Sequence, residues 1–183
     1  MKSRSPLGRL RPDYFINSVY DIDAGWLKNK GIHSLIVDVD NTIVARDVTM
    51  PDALLREWVV NLQNSGIELV IVSNNWSARV KQIAKELDLQ LLAPAAKPLG
   101  AAFKRAIVML GSNRGETAII GDQLFTDVLG GNGAGIKTIL SVPVGAVDLI
   151  HTKMLRVLEK FFLKRLSKKV LVDRKWQDVG ARK

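Results

Sequence analysis

The chain has 183 residues, with 27 Lys and Arg against 18 Asp and Glu, and it contains no cysteine. That length supports one ordinary domain with its own core, and a hydrophobic content of 47 % is that of a globular chain rather than a disordered one. The lack of cysteine excludes disulfide scaffolds and thiolate metal sites, and no apolar run approaches the roughly 18 residues of a membrane-spanning helix.

The predicted elements follow in chain order. Residues 1–12 carry four Lys or Arg and no acid, without the apolar segment of a secretory signal. Residues 13–30 are mixed, with a short helix expected near 23–30 and Gly31 as its left-handed cap. The apolar run 34–38 predicts a strand, and 41–51 a loop. Leu54, Leu55, Trp58, Val59 and Leu62 recur at helical spacing over 52–64, where Gly66 stops the helix. A strand is expected at 68–73, a helix at 77–87 and a short strand at 89–92. Pro98 opens a helix that runs through Leu110. A strand at 117–121 precedes a short helix from about Thr126 into the glycines of 130–135, and a strand at 137–142 follows. Beyond a joint at 144–148, residues 149–172 read as a last long helix or helix pair.

Strands alternating with helices predict an α/β fold: a three-layer, Rossmann-like parallel sheet with helices on both faces and right-handed crossovers. Three segments are expected: a basic lead-in with its helix over 1–33, the α/β core over 34–145, and a basic helix or tail over 146–183.

Four polar clusters fall at the ends of these elements. The first is Asp38-Val39-Asp40-Asn41-Thr42, after Leu35-Ile36-Val37. Side chains alternate along a strand, so Asp38 and Asp40 point one way, at the carboxyl edge where open α/β sheets bind ligands. Two such carboxylates can share a hard cation such as Mg²⁺, and one of them can attack an electrophile. A solvated strand end or a helix cap accounts for the same residues. The second cluster is Ser73-Asn74-Asn75, the third Lys97-Pro98, and the fourth Gly121-Asp122-Gln123-Leu124-Phe125-Thr126-Asp127. Taken singly, Ser73 reads as a turn serine, Lys97 as a loop lysine and Asp122 as a cap. Together they supply carboxylates, a hydroxyl and an ammonium at one sheet edge, a set suited to phosphoryl transfer. His33 and His151 have no second ligand near them in the pattern and read as surface or capping residues. The tryptophans and Phe103 read as core.

In order and spacing the four clusters resemble the motifs of the haloacid dehalogenase (HAD) superfamily of phosphohydrolases. The resemblance implies that Asp38 is the nucleophile, forming an aspartyl-phosphate, and that Asp40 is the acid and then the base. It implies that Ser73 and the Asn74 backbone amide hold phosphate oxygens, and that Lys97 neutralises phosphate and Asp38. A Mg²⁺ ion would be held by Asp38, the main-chain carbonyl of Asp40, and Asp122. Asp127 would join the metal shell or orient Lys97, and Thr42 would fix the turn.

Pro12-Asp13-Tyr14, Tyr20-Asp21-Ile22-Asp23, the Asp-x-Asp-Asn-Thr form of the first motif, Ser73-Asn74-Asn75, Lys97-Pro98 and Gly121-Asp122-Gln123 extend the likeness. They resemble the branch of YqeG-like proteins and mitochondrial-type phosphatidylglycerophosphate phosphatases. That branch implies a terminal phosphate on an anionic phospholipid as substrate and a place on the cytoplasmic face of a membrane, soluble or peripherally bound.

Two features of the chain fit a lipid. Ser73 lies only 33 positions after Asp40 and Lys97 only 24 after Ser73, so no cap domain can be inserted and the site is open. Over 150–169, Leu155, Leu158, Phe162 and Leu166 face Lys153, Arg156, Lys160, Lys164 and Lys168 across a helix. Basic amphipathic helices lie on membrane surfaces, each basic residue adding about 1 kcal/mol near an anionic leaflet; the same pattern suits a helix packed on the core. The ends are charged +8 over 151–183 and +4 over 1–12, against −3 between them. Such ends read as solvated faces or as contacts for an anionic surface. Specific nucleic-acid binding is not expected, because the basic tail offers Trp176 and little other stacking surface. A soluble or nucleic-acid-end phosphatase, or a non-catalytic basic module on the same scaffold, are the alternatives.

Overall fold

The structure, a computed structural model, describes residues 6–145. The apolar runs form six strands: β1 Tyr14–Ile16, β2 Ser34–Val37, β3 Glu68–Val72, β4 Gln90–Leu92, β5 Thr117–Gly121 and β6 Lys137–Ser141. They make one sheet in the order β1-β6-β5-β2-β3-β4, with every neighbouring pair parallel. The helices are α1 Ala24–Asn29, α2 Ala53–Asn64, α3 Ala78–Glu86, α4 Gly100–Met109 and α5 Leu129–Ala134.

Strand periodicity decides which helix covers which face. Leu35 and Val37, Leu69 and Ile71, and Ala118 and Ile120 pack with Leu27 of α1, Leu55 and Leu62 of α2, and Val80 and Ile83 of α3. The residues between them, Ile36, Val70 and Ile119, turn to the other face and meet Ala102, Phe103 and Ala106 of α4. A period of two thus splits one hydrophobic run into two cores, and the three layers follow. The caps are local. Asp52 accepts from the Leu55 amide at 2.7 Å and Asp23 from that of Trp26 at 2.6 Å, while Gly31 and Gly66 take positive φ past the ends of α1 and α2.

From β2 the chain winds through α2 and α3 to β3 and β4, then crosses by α4 to β5 on the other side of β2. The winding reverses between β2 and β5, and the crevice at such a switch point is where doubly wound sheets bind ligands.

Several boundaries differ from the sequence reading. β1 was hidden in the mixed stretch; three residues cannot display a period. Asp13 ties it to β6, accepting at Oδ2 from the Thr138 amide and hydroxyl at 3.0 and 3.2 Å. Pro98 lies outside α4, whose N-cap is Leu99. The turn after β5 begins at Leu124 as a π-helical turn, Leu124–Val128, and runs directly into α5. Trp58 and Phe103 are core residues, but Trp76 is 66 % exposed, against the core reading, and His33 is exposed. The C-terminal amphipathic helix, His151 and Trp176 lie outside the described residues. Among those described, no helix is long and apolar enough to cross a membrane.

α5 can approach the sheet only because of its glycines. A Cβ on Gly131 would lie 2.5 Å from Ile119 Cγ2 and 2.7 Å from Thr138 Cγ2. Gly131→Ala should therefore cost about 1–3 kcal/mol by overpacking, read as a Tm lowered by several degrees in thermal unfolding. An unchanged Tm would show that α5 can shift away from the sheet.

Candidate active site

The carboxyl ends of β5, β2 and β3 lie side by side, and the polar clusters leave the sheet there. Asp38 follows β2 and is held in register by its amide, which donates to the Ile120 carbonyl at 3.0 Å. Asp122 follows β5, and Ser73 follows β3. All three are buried, as are Asp40, Thr42, Lys97 and Asp127.

Lys97 is the centre of the cluster. Its Nζ donates to Asp38 Oδ1 at 2.5 Å and to Asp127 Oδ1 at 2.7 Å, with its side chain 2 % exposed. An ammonium that deep survives only with partners, since the desolvation cost is several kcal/mol per ion. Burial works against the Lys97 charge, but Asp127 and Asp38 outweigh it and raise its pKa above the ordinary lysine range. Burial pushes the Asp38 carboxyl up to about 6; Lys97 pulls it down, while Asp127 and Asp40 add to the rise.

Each partner is itself positioned. Asn74 grips the backbone of Lys97 from both sides: its Oδ1 accepts from the Lys97 amide at 2.7 Å and its Nδ2 donates to the Lys97 carbonyl at 3.0 Å. Asp127 Oδ2 accepts from the Gln123 amide at 3.2 Å, which closes the π-turn on itself. Gly121 makes room for this, since a Cβ there would collide with the Asp127 carboxylate carbon. π-turns inside helices concentrate at functional sites, and this one aims Asp127 at Lys97. Thr42 Oγ1 lies 3.1 Å from Asp38 Oδ2 and 3.3 Å from Asp122 Oδ1, so it steadies the carboxylates as well as the turn. Ser73 Oγ accepts from the Asn75 amide at 3.0 Å, while its backbone is stitched to the β4 loop through Leu92 and Ala95.

Asp40 has a separate set of contacts. Arg79 Nη1 donates to its Oδ1 at 2.6 Å, Asn75 Nδ2 donates to its Oδ2 at 2.9 Å, and Arg46 Nη2 lies 3.4 Å from Oδ2. Neither arginine belongs to the four polar clusters. Arg79 had a signal: it lies on the first turn of α3, and a helix following a parallel strand starts at the ligand-binding edge. Arg46, in an aperiodic loop, had none.

Oxygens of Asp38, Asp122 and Asp127 lie within 4.8 Å of one another. This hard, all-oxygen, acidic donor set fits a divalent cation such as Mg²⁺. Asp127 gives its oxygens to Lys97 and Gln123 and Asp38 gives its own to Lys97 and Thr42, so all three carboxylates, with Asp122, remain candidate donors. The Asp40 carboxylate stands outside the group, so Asp40 could contribute only its main-chain carbonyl.

The raised Asp38 pKa fixes the sign of a stability effect. With a folded pKa of about 6 and an unfolded one of about 3.9, the folded chain holds the extra proton between those values. Stability from this group is full below about pH 4 and is lost as pH rises through about 6. In chelator-treated protein, the Tm of wild type minus that of Asp38→Asn should fall between pH 4 and 7 and flatten above. A difference that rises with pH would contradict the burial assigned to Asp38.

A family model described as HAD-hydrolase-like matches residues 94–145. Over 158 residues the chain is 39 % identical to "Probable phosphatase YqeG" of Bacillus subtilis, covering 86 % of this chain and 92 % of that protein. It is 25 % identical over 170 residues to phosphatidylglycerophosphate phosphatase 1, chloroplastic/mitochondrial, of Arabidopsis thaliana, covering 87 % of this chain and 49 % of the plant protein. Among solved structures, the cobalt-bound deoxy-D-mannose-octulosonate 8-phosphate phosphatase of Haemophilus influenzae matches with a TM-score of 0.53 at 17 % identity, covering 80 % of this chain and 95 % of that one; the likeness is one of fold. Given four motifs on one sheet edge and a relative matched over nearly its whole length, the chain belongs to the haloacid dehalogenase superfamily of phosphatases.

Proposed function

We propose that the protein is a Mg²⁺-dependent phosphomonoesterase that works through an aspartyl-phosphate and removes the terminal phosphate of phosphatidylglycerophosphate. The observation that carries the chemistry is the buried Asp38–Lys97–Asp127 chain, at 2.5 and 2.7 Å. It offers a carboxylate fixed from one side by an ammonium and from the other by the Thr42 hydroxyl.

In this reading an Asp38 carboxylate oxygen attacks phosphorus and the ester oxygen leaves, taking a proton from Asp40. Asp40 then removes a proton from water, which attacks the acyl phosphate at phosphorus and frees phosphate and Asp38. Lys97 stabilises charge on the transferring group and keeps Asp38 ionised at neutral pH, against its burial. Ser73 and the Asn74 amide, next to Asp38 across the β2–β3 pair, are the donors assigned to the phosphoryl oxygens. Asp38, Asp122 and the Asp40 carbonyl would hold the cation, which when bound supplies further neutralisation of phosphoryl charge.

Three observations support a lipid substrate. The plant relative bears that activity in its name. The connections between motifs are short, with α2 and β3 filling one and α3 and β4 the other, so no inserted domain covers the site. Trp76 and Leu99, 66 % and 64 % exposed, flank Asn75 and Lys97 on loops that Asn74 bolts together. Exposed tryptophan and leucine at a site mouth suit the boundary between headgroups and acyl chains. The basic tail would add attraction to an anionic leaflet. In this reading the protein meets the membrane peripherally, from its cytoplasmic face.

The test is phosphate release from phosphatidylglycerophosphate in mixed micelles, set beside sugar phosphates, nucleotides and p-nitrophenyl phosphate. We expect the lipid to be preferred at least tenfold in kcat/KM, with Asp38→Asn at least a thousandfold down and chelator abolishing turnover. Preference for a soluble ester would move the assignment to a soluble phosphatase, and Asp38→Asn turnover at the wild-type rate would remove the nucleophile. Trp76→Ser with Leu99→Ser should cut sedimentation with vesicles of anionic phospholipid severalfold; undiminished sedimentation would leave the contact to the tail.

A further inference from the structure

Arg46 carries a buried hydrogen-bond donor that nothing around it meets. Its Nε is buried without a partner, the single buried side-chain nitrogen or oxygen among the described residues of which that is so. A buried donor left unmade costs about 1–3 kcal/mol. Neutralising Asp40 does not explain its presence. Arg79 does that at 2.6 Å, and Asn75 occupies the other Asp40 oxygen at 2.9 Å, while Arg46 stands off at 3.4 Å.

Arg79 is in addition a staple. Its Nε and Nη2 donate to the carbonyls of Val48 and Ala45 at 2.6 and 2.7 Å, so all three of its nitrogens are engaged. Those bonds hold the loop that carries Arg46, and Asn41 holds it from the other side, accepting from the Arg46 amide at 3.2 Å. The guanidinium is therefore supported by two anchors but satisfied by neither. Two guanidiniums face one carboxylate here, so the cluster carries a net charge of +1.

We propose that Arg46 is the recognition residue for a second anionic group on the substrate, a singly charged phosphodiester on the leaving-alcohol side. This rests on the reading above, in which Asp40 protonates the leaving oxygen; a group beside Asp40 meets the alcohol half, not the transferred phosphate. A planar guanidinium fork matches a phosphodiester's two free oxygens, and one such monoanion balances the excess charge. The enzyme would thus choose esters whose alcohol product bears its own negative charge.

The experiment uses two water-soluble substrates that differ by one glycerophosphoryl group: glycerophosphoglycerophosphate, with a phosphodiester beside its terminal phosphate, and glycerol 1-phosphate, without one. Wild type should prefer the first at least tenfold in kcat/KM, mainly through KM. Arg46→Gln should bring the ratio near one, and Arg46→Lys should keep part of it. A wild-type ratio near one overturns the proposal, as does an equal loss on both substrates in Arg46→Gln, which would make Arg46 a support for Asp40. Calorimetric binding of glycerophosphoglycerol is read in parallel and does not depend on turnover. We expect it to be at least tenfold weaker in Arg46→Gln, and equal binding overturns the proposal. Preference for the two-anion soluble ester without preference for the lipid would remove the lipid reading and leave Arg46 its role. Absence of turnover with intact, Arg46-dependent binding would remove the phosphatase mechanism alone.

Discussion

The site depends on one buried ammonium. Lys97 sits in a space that would reject its charge were Asp38 and Asp127 not within 2.7 Å of it. Removing one partner from such a group leaves an uncompensated buried charge, a loss of about 3–5 kcal/mol. The three residues come from the turn after β2, the turn after β5 and the loop before α4, so the interaction closes only when those segments are all in place. Most of the remaining polar geometry follows from this demand: Asn74 clamps the Lys97 backbone, the Gln123 amide takes the second Asp127 oxygen, and Gly121 has no side chain where Asp127 must lie.

The same constraint divides the carboxylates by task. Asp38, Asp122 and Asp127 gather around one point, with one ammonium among three acids. That surplus of negative charge invites a cation and a dry, preorganised phosphoryl site. Asp40, two residues from Asp38, belongs to another group, with two arginines and an amide from the loop and α3. Its neighbours are cationic, and its side chain is kept away from the acidic point. Two carboxylates one residue apart in the chain thus lie in opposite electrostatic surroundings, as the roles proposed for them require.

The rim differs in character from the floor. Trp76 and Leu99 stand exposed on the two loops that Asn74 joins, above a floor in which almost every polar atom is bonded. For the lipid proposed as substrate, such a rim would leave the hydrocarbon outside while the charged headgroup enters.

How much of this could be read in the residues depended on range. Strands β2, β3 and β5, helices α2 and α3, the glycine stops and the four motifs were all legible, because periodicity, capping and turn chemistry act between neighbours a few positions apart. β1 was not, since three residues hold no period and its place depends on β6, more than 120 positions away. The exposure of Trp76 was not legible either, because a tryptophan in a loop carries no period to mark it as buried or exposed. The π-turn that aims Asp127, and the arginines that hold Asp40, came from the packing. Arg79 and Asp40 are 39 positions apart, and no local pattern encodes a contact at that distance. Sequence pattern therefore settled the class of fold and picked out the polar clusters that meet at its edge. Which strand lies beside β2, which acid faces the ammonium and which faces the arginines were settled by the winding reversal between β2 and β5, where long-range packing brings distant loops to one edge.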